Sequence, residues 1–190
     1  MKIPKQAKRV FEGVIFDIYH WQQEMFDGTV ETFEVLKRSD GVTIIPVNGE
    51  TIYYAEEVQS GDTPFTTFFG GKAEEGEDPL EAAKRELFEE SGLTSDDWEI
   101  LAVHDSYSSK LDWNVHTYVA RNAKKTGEQH LDPGEKISVK EVSWNNFFDL
   151  VTEKTFRNKE WAMEFLLWKV KEPEKLEAFR KKLFGSTVAK

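Results

Sequence analysis

Three carboxylates, Glu86, Glu89 and Glu90, stand at i, i+3 and i+4. On a helix they share one face, where like charges repel and weaken the element. A divalent cation removes that repulsion. Hard oxygen ligands that leave room for water and phosphate suit Mg2+. A solvated acidic face is the other meaning of such a charge run.

The flanking residues provide the helix. Asp78 can cap its N-terminus, Pro79 suits the first helical position, and Glu81 follows three residues after the cap. Gly92 supplies a left-handed residue to end it. Leu80, Ala83 and Leu87 form an apolar stripe that would hold the helix on a core.

Gly71, Glu77, Arg85, Glu86, Leu87, Glu89, Glu90, Gly92 and Leu93 together resemble the signature of the Nudix hydrolases at every fixed position. So many specified positions make the match far more specific than a lone glycine pattern. The resemblance implies an α/β/α sandwich and hydrolysis of a nucleoside diphosphate linked to another group. It implies Glu86, Glu89 and Glu90 as metal ligands together with the Gly70 carbonyl. The cofactor would be Mg2+, with Mn2+ as the alternative. Gly71 belongs to the motif backbone. Glu77 and Arg85 would be orienting partners, and an ordinary helix salt bridge is their other reading.

The rest of the chain bounds this reading. Its 190 residues suffice for one well-buried domain. No apolar run approaches the ~20 residues of a membrane span. The basic N-terminus lacks the apolar segment of a signal peptide, and there are no cysteines, so a cytoplasmic enzyme is expected. A net charge of −10 argues against nucleic-acid binding, which rests on Lys and Arg neutralising phosphates. A small diphosphate carried with cations is not excluded by it.

Val10–Tyr19 reads as a strand, Asp27-Gly28 as a hairpin turn, and Thr32–Arg38 as the return strand. With Trp21 and Phe26 expected at its surface, this hairpin should pack on the main domain or on a second subunit. Residues 1–40 are thus expected to form an N-terminal antiparallel β module for dimerisation and the substrate pocket. Residues 41–185 form the hydrolase domain, and 186–190 a tail. Strands are expected at Val42–Val47, Thr51–Val58, Phe65–Phe69, Glu99–Val103, Asn114–Ala120 and Ile137–Val142. Helices are expected at Asn145–Val151, at Asn158–Val170 with Trp161, Phe165 and Trp168 buried, and from Pro173 to about Phe184. Strands around a central helix, followed by terminal helices, indicate a sheet between helical layers.

The segment from about Val10 to Val170 is similar to the ADP-ribose pyrophosphatase branch of the family. That resemblance implies a homodimer sharing its hairpin, with Phe33 and Arg38 holding the base of the substrate. Phe33 also fits a sheet or dimer-core role. The resemblance places a catalytic carboxylate in the loop His130–Glu135. Glu135 matches best, Asp132 is the alternative, and both also fit simple loop acids. Two departures stand out: Phe69 replaces a usual proline, and Glu56–Gly61 replaces an arginine-bearing loop. The expected reaction is Mg2+-dependent cleavage of ADP-ribose or a related nucleoside diphosphate sugar into a nucleoside monophosphate and a sugar phosphate. A pyrophosphatase for modified nucleotides or dinucleoside polyphosphates, and a non-catalytic nucleotide sensor, are the alternatives.

Overall fold

The computed structural model describes residues 3–106 and 108–185, so the tail expected at 186–190 lies outside it. Three antiparallel strands come first: β1 (Lys8–Phe11), β2 (Asp17–Glu24) and β3 (Val30–Lys37). The single strand expected over Val10–Tyr19 is therefore two. At the break, Gly13 N–H donates to the Asp17 carboxylate at 3.3 Å, and Arg9 pairs with Glu12 and Asp17. A Cβ at Gly13 would lie 2.4 Å from the Phe16 carbonyl oxygen, so the turn needs glycine. The β-branched residues around it mask this turn in the sequence. Trp21, expected at the surface, is buried against Phe33 with ring centroids 5.6 Å apart, whereas Phe26 at the hairpin tip is exposed.

The chain continues through β4 (Gly41–Asn48), β5 (Thr51–Gln59), β6 (Phe65–Thr67) and α1 (Pro79–Ser91). Next come β7 (Leu93–Thr94), β8 (Asp97–Asp105), β9 (Leu111–Asp112), β10 (Asn114–Arg121), β11 (Lys124–Lys125) and β12 (Glu135–Ser143). A 3-10 turn at Trp144–Asn146 leads into α2 (Phe147–Thr152), α3 (Lys159–Lys171) and α4 (Pro173–Phe184).

The main sheet has the order β12-β5-β4-β10-β8, with β6 on β5. β4 and β10 are parallel and the other pairs antiparallel. Strand β4 is buried from Gly41 to Val47 and mostly apolar there, because both of its faces are covered. Val42 and Ile44 pack towards α1 with Leu87 and Ala83; Ile45 and Val47 pack towards α2–α4 with Phe147, Trp161 and Phe165. The two clusters are the two layers of an α/β/α sandwich, with Trp168 only half-buried at the rim. β9 leaves the main domain to pair in parallel with β3 (Leu36↔Leu111, Lys37↔Asp112), so the N-terminal sheet includes a strand from the loop before β10. Among the described residues no helix is long and apolar enough to cross a membrane.

Candidate active site

The acidic helix α1 is fixed at both ends. Asp78 accepts from Leu80 N–H at 2.9 Å, and Pro79 opens the helix. Gly92 ends it in the left-handed region (φ 67°), its N–H donating to the Phe88 carbonyl. Glu81 pairs with Lys84 at 2.7 Å instead of reaching back to the cap. Ala82, Ala83 and Leu87 bury one face, which turns Glu86, Glu89 and Glu90 towards the segment after β6.

That segment is built around two glycines. Val42 and Ile44 N–H groups donate to the carbonyls of Gly71 and Phe69, so the Gly70 carbonyl between them stays outside the ladder. The Gly70 N–H donates to Glu90 at 2.9 Å. A Cβ at Gly70 would lie 2.0 Å from the Val42 carbonyl oxygen, and one at Gly71 would lie 2.4 Å from the Glu86 carboxyl carbon. Both glycines therefore permit contacts that any side chain would block.

Arg85 organises the outer side. Its Nε and Nη2 bind Glu77 bidentately at 3.1 and 3.0 Å, while Nη1 donates to Glu86 at 2.9 Å and Glu89 at 3.1 Å. Nη2 also reaches the Lys72 carbonyl at 3.1 Å. One guanidinium thus connects three acids and the glycine loop.

The loop after β11 closes the other side. His130 N–H donates to the Glu89 carbonyl at 2.8 Å, and the His130 ring lies 5.9 Å from that of Phe88. These contacts place Asp132 and Glu135 on the same cleft as Gly70, Gly71 and the α1 acids, in a space of about 450 Å³. His130 lines it too, a residue that the sequence singled out only as part of the loop.

The electrostatics of this cleft are one-sided. Burial pushes the Glu90 carboxyl well above its ordinary value, opposed by the Gly70 N–H and reinforced by Glu86, Glu57 and Glu135. Burial also raises Glu86, against the pull of Arg85. Glu135 is raised by burial, then by Glu57 and Asp132. Glu57, buried on β5 and likewise raised by burial, was not among the expected site residues. It shares its strand phase with buried Ala55, and an acid on an inward phase is the signal that would have found it.

The donors fit a hard divalent cation. Glu86 and Glu90 carry charge that burial penalises, Glu89 adds a third carboxylate, and the Gly70 carbonyl is available. Among the described residues, no three histidine, cysteine or acidic side chains already stand close enough to hold an ion. Arg85 engages Glu86 and Glu89 here, so binding an ion requires these side chains to shift.

Phe33 and Arg38 are not brought together within the chain. Phe33 lies within β3, whereas Arg38 is the residue after its end. The Phe33 ring packs against Trp21 at a tilt of 53° and carries the Lys110 ammonium 4.0 Å from its centroid. Arg38 instead lies over Trp113, 4.6 Å from the ring centroid, in a second cleft that shares Gly70, Gly71 and Lys72 with the first. The remaining histidines make ordinary pairs: His20 with Glu34, His104 with Glu164 and His116 with Asp40.

Comparison with known proteins agrees with this geometry. A family model described as the NUDIX domain matches residues 37–168. An ADP-ribose pyrophosphatase of Bacillus subtilis (strain 168) is 26% identical over 147 residues, covering 76% of this chain and 80% of that protein. A methanol dehydrogenase activator of Bacillus methanolicus is 26% identical over 152 residues, covering 78% and 82%. A solved structure described as an ADP compounds hydrolase superposes with a TM-score of 0.69 at 18% identity, over 88% of this chain and 95% of that one. At that identity the likeness concerns the fold alone.

Proposed function

The chain belongs to the Nudix family and is a hydrolase, and on that premise we propose that it cleaves the diphosphate of ADP-ribose or a related nucleoside diphosphate sugar. The products are a nucleoside monophosphate and a sugar phosphate. The observation that carries this reading is the convergence of Gly70, Glu86, Glu89, Glu90 and Glu135 on one cleft. The similarity to an ADP-ribose pyrophosphatase supports the substrate class.

Mg2+, or Mn2+ in its place, would neutralise phosphate oxygens and make water a better nucleophile. Glu86, Glu90 and the Gly70 carbonyl would hold it, with Glu89 as a shared ligand. Gly70 N–H orients Glu90, and Arg85 spaces Glu86 and Glu89 while anchored by Glu77. Glu135 takes a proton from the attacking water as the new P–O bond forms and the bridging P–O bond breaks. A carboxyl raised by burial and acidic neighbours is a better proton acceptor than an ordinary one. Asp132, exposed on the same cleft, is its substitute.

The N-terminal sheet supports a homodimer. It exposes Val10, Phe11, Val14, Ile15 and Val30, a concentration of apolar surface suited to a second copy. Phe33 would then meet the base from the second subunit, since its own subunit holds it away from Arg38. The net charge of −10 and the lack of cysteine fit a cytoplasmic hydrolase of small nucleotides with no nucleic-acid partner.

The test is product release from a panel of ADP-ribose, UDP- and GDP-sugars, diadenosine polyphosphates and NADH, with Mg2+ and a coupled phosphatase. Preference for ADP-ribose supports the proposal; preference for another sugar nucleotide keeps the mechanism and changes the substrate. Binding without turnover of any compound would make the protein a sensor.

A further inference from the structure

Helix α3 is more apolar than its buried face requires. Only Glu164 and Lys169 interrupt the apolar run from Trp161 to Val170. A helix that is apolar all round belongs in a buried setting, yet the chain covers one side of this one. Trp161, Ala162 and Phe165 are buried, whereas Met163, Leu166, Leu167 and Val170 are 60%, 43%, 46% and 77% exposed. Their spacing of i, i+3, i+4 and i+7 gathers them into one stripe, opposite the buried face. Single exposed apolar residues are ordinary; four in one stripe mark an interaction surface.

The charges beside the stripe indicate what covers it. Glu164 meets His104 Nε2 at 3.2 Å, Lys159 donates to the carbonyls of Glu153 and Lys154, and Lys169 lies over the Phe148 ring. Glu160 and Lys171 are left without an ion-pair partner among the described residues. Eleven positions apart, these two lie within about 20° of each other around the helix, on one flank of the stripe and at its opposite ends. When a helix pairs antiparallel with its own copy about a two-fold axis, a flank faces itself with its ends exchanged. An acid at one end and a base at the other then become complementary. A membrane surface fits less well, because helices that lie on one carry Lys and Arg along the polar border, and here Glu160 and Glu164 share it in a chain of net charge −10.

We propose that the exposed stripe of α3 docks on α3 of a second copy of this chain, antiparallel, about a two-fold axis between Leu166 and Leu167. Met163 of one copy then meets Val170 of the other, and Glu160 of one comes opposite Lys171 of the other at both ends. Little more than one heptad long, the stripe falls short of the roughly 800 Å² per partner of a standard interface, so the contact is reversible and concentration-dependent. It is distinct from the contact proposed above for the N-terminal sheet; with both, dimers join into tetramers. The inference does not rest on the substrate reading, since no residue of α3 lines the carboxylate cleft.

The experiment is sedimentation equilibrium of the full chain over a range of concentrations, with crosslinking to read the geometry. The average mass of the wild type should rise with concentration. Leu167→Glu should move that rise to at least about tenfold higher concentration, because it places an unpaired charge in the contact. Lys171→Glu should move it by roughly twofold to fivefold, the weight of exposed ion pairs, and adding Glu160→Lys should bring it back. Melting curves check folding; if Leu167→Glu is not folded, Val170→Glu must show the same displacement. No rise, or a rise indifferent to these variants, overturns the proposal. A rise removed by Val14→Asp and untouched by Leu167→Glu belongs to the N-terminal sheet and also overturns it; the reverse result upholds it and removes the N-terminal contact. The chain has no cysteine, so introduced thiols are unique. Met163→Cys combined with Val170→Cys should give a disulfide-linked dimer on copper-catalysed air oxidation. Either substitution alone should not, because like positions in the two copies stand about 10 Å apart along the axis, beyond disulfide reach. Equal crosslinking of a single variant would mean a parallel or random encounter and overturn the proposal.

Discussion

The carboxylate cleft and the Arg38–Trp113 cleft share the Gly70–Lys72 segment but are electrostatic opposites. In the first, buried Glu90 and half-buried Glu86 repel each other and face Glu57 and Glu135, with Arg85 and Lys72 as local counter-charges. In the second, half-buried Arg38 has its Nε buried without a partner among the described residues. Each is incomplete alone, and the fold tolerates the cost because strong packing surrounds both, including the fully buried Ile44 and Leu87. On the proposed function, a divalent cation would answer the carboxylate cleft. The difference shows how an acidic protein can take an anionic substrate, through separate local fields and not through net charge.

The strongest way to break this comparison is to remove the negative field. Glu90→Gln is isosteric and keeps an acceptor for the Gly70 N–H, so the fold should persist. Turnover should fall on the order of 10²–10³-fold, as for loss of one charge-stabilising group. A steady-state rate near wild type would remove Glu90 from the metal site. Glu135→Gln should cost about 10²-fold, within the usual range for a general base. An unchanged rate would transfer the role to Asp132, which the same substitution can test.

The two clefts also differ in how far the sequence exposes them. Glu77 to Leu93 lie in one stretch with cap and stop signals, so the acidic helix is readable before any folding. The mostly apolar β4 and the Trp161–Phe165 stripe are readable for the same reason: each pattern lies within one element. The Arg38–Trp113 cleft takes its residues from the position after β3, the position after β9, the Gly70–Lys72 segment and Arg157, among others. Nothing local joins those segments; the parallel pairing of β9 with β3 does. Glu57 was missed because Glu56 stands beside it and only the strand phase tells the inward acid from the outward one. The turn at Gly13 was missed because its neighbours, Val14, Ile15 and Phe16, have strand-forming side chains.

A smaller effect sharpens the comparison through pH. Glu86 and Glu90 have folded values raised above the ordinary 4.5, so the fold favours their protonated forms. Their contribution is fully present below that value and is lost as pH rises through the raised ones. Glu77, lowered by its bond to Arg85, behaves oppositely: its contribution is lost as pH falls below 4.5. Melting temperature in EDTA should therefore decline above about pH 5 by several degrees, at roughly 2–4 °C per kcal/mol for this chain length. Mg2+ should restore more stability at pH 8 than at pH 5. Glu90→Gln should flatten the decline and melt higher than wild type in EDTA at pH 8. A steeper decline in the variant would contradict the assignment of buried repulsion to Glu90.

The smallest effect separates helix capping from helix packing. Asp78→Ala removes the acceptor for Leu80 N–H at 2.9 Å, a loss of about 1 kcal/mol. The carboxylates should nevertheless keep their places. Ala82, Ala83 and Leu87 still bury the helix, Gly92 still ends it, and Arg85 still ties it to Glu77 and the Lys72 carbonyl. The melting temperature should fall by about 2–4 °C, while turnover at 25 °C stays within about twofold. If turnover fell as steeply as in Glu135→Gln while the melting temperature barely moved, the first turn of α1 would itself position the reacting groups. Tertiary packing would then no longer explain how three repelling carboxylates are held on one face.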